Sequence, residues 1–180
     1  MTGAEYLQLK AFARIDGALL ALWLIGCFAC YVLGLASPTY GIVAMLLTAA
    51  APLFVGWRLK KFRDNGLDGY ISLMRGWGYV VFVFFYSGLL FALAQYGYFT
   101  YMDGGYMMNA MAEMMALPEN SEMLRQMGVA DEVGESLDMM RSLRPIDWSL
   151  NALMSLMIVG AVVGLPIAAV VQKRPFDIKN

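Results

Sequence analysis

The chain has 180 residues, of which 60% are hydrophobic and 15% charged, against roughly 45–50% and about 25% in an ordinary soluble domain. A water-soluble fold of this length has no interior large enough for so much apolar surface, whereas lipid accepts it directly. The net charge of −1 gives no footprint for nucleic acid, the absence of histidine removes the commonest general base and metal ligand, and two cysteines form no disulfide framework.

In chain order, the first apolar run covers 17–35. No signal-peptide cleavage pattern accompanies it, so it reads as a retained signal anchor. Nineteen helical residues at about 1.5 Å each cover about 28 Å, close to the hydrocarbon thickness of a bilayer. The short Ala36-Ser37-Pro38 turn leads to a second run, 39–57, predicting an antiparallel hairpin. A basic connection with an Asn65-Gly66 turn follows. Asp68 is expected to cap a short helix from Tyr70 to Arg75, which then runs into the third span, 77–99.

Residues 100–148 are too many for an unstructured connection. Pro118 and Gly128 divide them into two or three amphipathic helices. One apolar stripe is Met107, Met111, Met114 and Met115; another is Val133, Leu137 and Met140. The fourth span is 149–171. None of the four runs contains Asp, Glu, Lys or Arg. The fold class is therefore all-α: one polytopic membrane domain over 1–180, with four transmembrane helices and an amphipathic helical extracytoplasmic loop between the third and fourth.

Charge sets the orientation. Ten of the thirteen basic residues flank the spans on one side: Lys10, Arg14, Arg58, Lys60, Lys61, Arg63, Arg75, Lys173, Arg174 and Lys179. The other side has Arg125, Arg141 and Arg144 against nine acids between Asp103 and Asp147. The positive-inside rule places both termini in the cytoplasm and the long loop in the periplasm. Gln95 and Asn151, near the outer surface on successive spans, are expected to hydrogen-bond to each other.

From Arg58 onward the order of features is specific. A basic Arg58-Leu-Lys-Lys-Phe-Arg63-Asp stretch precedes Gly69-Tyr70-Ile71-Ser72 and Gly76. The aromatic-rich third span ends Tyr96-Gly97-Tyr98-Phe99-Thr100-Tyr101. The acidic loop closes near Asp138-Met139-Met140 and Pro145, and Gln172-Lys173-Arg174 ends the fourth span. This pattern resembles the domain-of-unknown-function family numbered 4199, inner-membrane proteins of Gram-negative bacteria. The resemblance implies four spans and a bacterial inner-membrane location. It carries no established activity, so it assigns no functional residue. It also suggests service to a polyprenyl-phosphate glycosyltransferase.

The remaining motifs are packing and contact candidates. Cys27-Phe-Ala-Cys30 has redox spacing, but membrane thiol chemistry uses a second cysteine pair or a quinone-facing base, and neither is present. Gly26, Cys30 and Gly34 recur every four residues as a small-residue seam, and Gly160, Gly164 and Ala168 form another. Ten of fifteen methionines lie between Met102 and Met140. Thioethers suit Cu(I), and equally suit an adaptable apolar surface. Met107, Met111, Met114 and Met115 are the candidates for an outer-loop contact. No residue is assigned to catalysis, cofactor or metal. The expected role is a non-enzymatic subunit of a membrane complex, with lipid and other membrane proteins or further copies of itself as partners. The alternative is a component that transports lipid or a small solute.

Overall fold

The computed structural model describes residues 3–173. Arg174 and Lys179, counted above among the basic flanks, lie outside the described residues. The regular structure is helical apart from one backbone bridge: α1 Gly3–Gly34, α2 Pro38–Gly66, α3 Leu73–Tyr101, α4 Tyr106–Ala116, α5 Pro118–Met127, α6 Ala130–Ser142 and α7 Pro145–Val171. Of these, α1, α2, α3 and α7 are long and apolar enough to cross a membrane. The two ends of this four-helix layer are called here the basic end and the acidic end, after the charges that flank them.

The helices start where local chemistry directs. Pro38, Pro118 and Pro145 stand in the first turns of α2, α5 and α7, where a missing N–H costs nothing. Asp147 accepts from the Arg144 backbone and guanidinium, closing the start of α7. That hydrogen bond, then the carboxylate charge, raises the Arg144 pKa above its ordinary value. Gly128 ends α5 in the left-handed conformation.

The helices outrun the apolar spans. α1 begins at Gly3, well before residue 17, because Leu9, Ala13, Asp16 and Leu20 keep one face buried at helical spacing. α2 likewise continues through Asn65-Gly66. The turn follows it, with Asp68 at φ 51° and Gly69 at φ 84°. Asp68 therefore caps nothing. Ser72 caps α3 instead, accepting from the Arg75 N–H, and no separate helix precedes the span. This connection is tied to the end of α7 by two 3.0 Å backbone hydrogen bonds between Ile71 and Lys173.

α3 and α7 form the most extensive interface, α1 packs between α3 and α2, and α2 touches α3 and α7 only lightly. Small residues set the closeness of α3 and α7. A side chain at Gly160 would enter the Phe84 side chain, and one at Gly164 would press on Trp77 and Val80. Ala168 is buried against Gly76. The buried core runs from Leu9 and Phe62 at the basic end through Tyr79, Val80 and Val83 to Phe84. Near the acidic end, Gln95 and Asn151 do not meet. Asn151 donates to the Asp147 carbonyl at 2.9 Å, one helical turn back, and the Gln95 Oε1 is buried without a hydrogen-bond partner among the described residues.

Candidate functional site

Two places bring together more chemistry than packing requires. The first lies toward the basic end. Asp16 on α1, only 2% exposed, accepts from the Arg58 guanidinium on α2 and from the Tyr79 hydroxyl on α3. The Arg58 Nε to Asp16 Oδ1 distance is 2.6 Å. Phe62 lies flat on the Tyr79 ring at 4.9 Å, closing the cluster toward α2. Trp57 presents its ring to Arg58 at 5.5 Å and to Lys61 at 5.6 Å. A buried carboxylate survives only if it is paired and fully hydrogen-bonded, and here both oxygens are engaged. The trio joins three helices through the one carboxylate, which holds both Arg58 and Tyr79.

Asp16 is not among the sequence-derived candidates, because it sits one residue outside the first apolar run. A signal was nevertheless available. Asp16 and Arg58 each lie 21 positions from Ser37 (37 − 16 and 58 − 37), the centre of the hairpin turn. Two antiparallel helices of equal pitch therefore place them at the same height with opposite charges.

The second place lies toward the acidic end, between α1 and α2. A cavity of about 860 Å³ is lined by Leu24, Cys27, Phe28, Tyr31, Gly34 and Leu35 of α1 and by Gly41, Ala44, Met45, Thr48 and Ala49 of α2. These spacings of three and four residues are the facing stripes of two helices. Phe91 of α3 forms the back, and Met111, Met114 and Met115 of α4 close the outer mouth. At the other end Trp23 donates to the Leu47 carbonyl at 3.0 Å and stacks on Phe54 at 5.6 Å, forming a floor. The helices meet again at Gly34 and Gly41, where a Cβ on Gly34 would lie 2.7 Å from the facing backbone. Tyr31, Met45 and Ala49 are exposed, so the slot is open along one side. No lining residue is charged. The Thr48 hydroxyl donates to the Ala44 carbonyl at 2.8 Å and is also hydrogen-bonded to the Cys27 side chain of α1.

The roof helix is fixed at one point. Asp103 accepts from the Gly105 and Met107 N–H groups at 3.0 and 3.1 Å and is hydrogen-bonded to the Tyr98 side chain. Met107 is the buried residue of α4, 4% exposed. Beyond it α4 packs chiefly on α5 and α6.

The candidate residues fall into distinct settings. Gly160, Gly164 and Ala168 share the α3–α7 interface. Gly34 packs on Gly41, Cys30 is half-buried, and Gly26 has open space where a side chain would stand. The spacing of four suggests one seam through all three, and of its two glycines Gly34 is the one in close backbone contact with a neighbouring helix. Met107 anchors α4, while Met111, Met114 and Met115 face the slot together with Cys27. The structure thus gathers two sulfur motifs, far apart in sequence, around one space. Among the described residues no three of His, Cys, Asp or Glu converge as metal ligands.

A chain whose four longest helices are uncharged over a bilayer's thickness, with a separate helical cap at one end, belongs to the class of small polytopic α-helical membrane proteins. Its family is the one described as protein of unknown function DUF4199, whose model matches residues 12–173. The chain belongs to that family. No curated protein and no solved structure matches it.

Proposed function

We propose that the protein is a non-enzymatic accessory subunit of a larger complex in a bacterial inner membrane, with both ends cytoplasmic and α4–α6 in the periplasm. One observation supports this reading above the others. The cap displays Met123, Met127 and Met139 at 58%, 66% and 69% exposure on helices that have no buried residue of their own. The connection that contains the cap, 100–148, carries nine acids against three arginines. Apolar groups standing free of any core, set among carboxylates, suit a partner protein with an apolar patch and a basic rim. The adaptable thioether tolerates imperfect fit at such a contact.

The test is purification from native membranes in mild detergent. The wild type is expected to bring down a stoichiometric partner, and Met127→Ser with Met139→Ser is expected to lose it while keeping the same helicity. Recovery of the wild type as a lone monomer would overturn the reading, and recovery as a pure self-oligomer would replace the partner with further copies of this chain. The slot between α1 and α2 favours a second reading, in which the subunit also handles lipid. Its lining is apolar and suits a hydrocarbon chain rather than a hydrated solute.

A further inference from the structure

We infer that the slot between α1 and α2 is a binding site for one acyl chain of a phospholipid drawn from the surrounding bilayer. The shape of the slot, its depth and its lining each narrow the occupant. Along α1 it extends from Leu24 to Leu35, eleven steps, or about 16 Å at 1.5 Å per residue. A membrane-crossing helix is about twice that long and 10–12 Å wide. Both ends are also stopped, by Trp23 on Phe54 at the floor and by the methionines of α4 at the roof. A partner's transmembrane helix, which needs about 30 Å of continuous path, would have to pass through α4. A narrower, flexible chain entering from the open side meets neither obstacle.

The lining decides the chemistry. None of the fifteen residues is charged, so nothing there recognises a headgroup, and a hydrated solute would exchange its water for apolar walls. Thioether and aromatic side chains from four helices surround the path, and methionines adapt to chains of differing unsaturation. The slot opens sideways between two of the helices long and apolar enough to cross a membrane, so hydrocarbon is what the bilayer supplies to it. The assignment stands whether or not the cap binds a partner protein, because its test reads lipid alone.

Delipidated protein is titrated with palmitoyl-oleoyl phosphatidylethanolamine and retention is read by native mass spectrometry. Wild type is expected to hold one lipid per chain. Ala49→Phe and Thr48→Phe, made separately, place a ring in the slot from exposed positions. Each is expected to weaken retention by about tenfold or more, the loss that goes with two methylenes of contact. Leu53→Phe, one turn further along α2, 76% exposed and outside the slot, is expected to bind like wild type. Phosphatidylglycerol is expected to bind equally well. Equal retention by all four proteins would overturn the proposal, as would a strong preference for one headgroup. Unchanged helicity in either ring-bearing variant keeps the comparison valid, and two slot variants guard against one that fails to fold.

Discussion

The two ends of the bundle solve the same problem in opposite ways. At the basic end α1, α2 and α3 are drawn together around Asp16, Arg58 and Tyr79, and Arg75 reaches back from α3 to Glu5 at 3.1 Å and Gln8 at 3.4 Å. At the acidic end α1 and α2 touch backbone to backbone at Gly34 and Gly41 but leave an open cavity between that contact and Trp23, and the covering helix is pinned mainly at Met107. Lipid tails are as apolar as leucine, so apolar contact does not drive helices together in a bilayer; close packing and hydrogen bonds do. Where those are dense the helices are fixed, and where they are sparse a helix pair can part for a ligand. The difference assigns rigidity to one end and adaptability to the other.

The sharpest way to break this comparison is to remove the buried carboxylate. Asp16→Ala leaves Arg58 and Tyr79 buried without their acceptor, and breaking such a pair costs about 3–5 kcal/mol. The loss should appear as a large drop in the detergent concentration at which helicity collapses. Asp16→Leu combined with Arg58→Met and Tyr79→Phe replaces all three polar partners by apolar groups and should recover most of that loss. If both variants unfold alike, the trio is not an interdependent unit.

A smaller effect sharpens the contrast between two glycines of one sequence motif. Gly34→Val drives a side chain into the Gly41 backbone, where overpacking costs about 1–3 kcal/mol. Gly26→Val meets nothing within 4 Å and should change stability by no more than about 0.5 kcal/mol. Equal effects in thermal unfolding would mean that the α1–α2 contact at Gly34 does not form in the membrane.

Much of the fold was legible in the residues, and the reason is that the bilayer makes backbone satisfaction and apolar length nearly decisive. The four long apolar helices, the tight turn at Ala36-Ser37-Pro38 and the breaks at Pro118 and Gly128 all follow from such local rules, whereas the helix limits do not, since α1 and α2 run well past the apolar runs. What was not legible depends on tertiary pairing. Asp16 looked like an ordinary flanking charge, because only the hairpin register sets it against Arg58. Asp68 looked like a cap, because sequence gives no sign that its φ would be positive. The slot joins residues from four helices, and no pattern along the chain connects Cys27 or Ala49 with Met111. Gln95 and Asn151 lie on successive spans with no hydrogen bond between them, which spacing alone did not reveal.

The smallest expected effect concerns the anchor of the roof. Asp103 accepts from two N–H groups at the start of α4, and one of them belongs to the buried Met107. Asp103→Ala removes both acceptors, and loss of such a cap costs about 1 kcal/mol. A change of that size leaves the four long helices assembled, because their contacts at Gly160, Gly164 and Asp16 are untouched. It acts instead on the local equilibrium by which α4 covers the slot. Amide exchange in 106–116 should therefore quicken about fivefold, the ratio that corresponds to 1 kcal/mol, while exchange in the middle of α3 stays as it was. Should α3 and α4 quicken together, the cap and the bundle form one cooperative unit, and the mobility assigned to the acidic end would belong to the whole molecule.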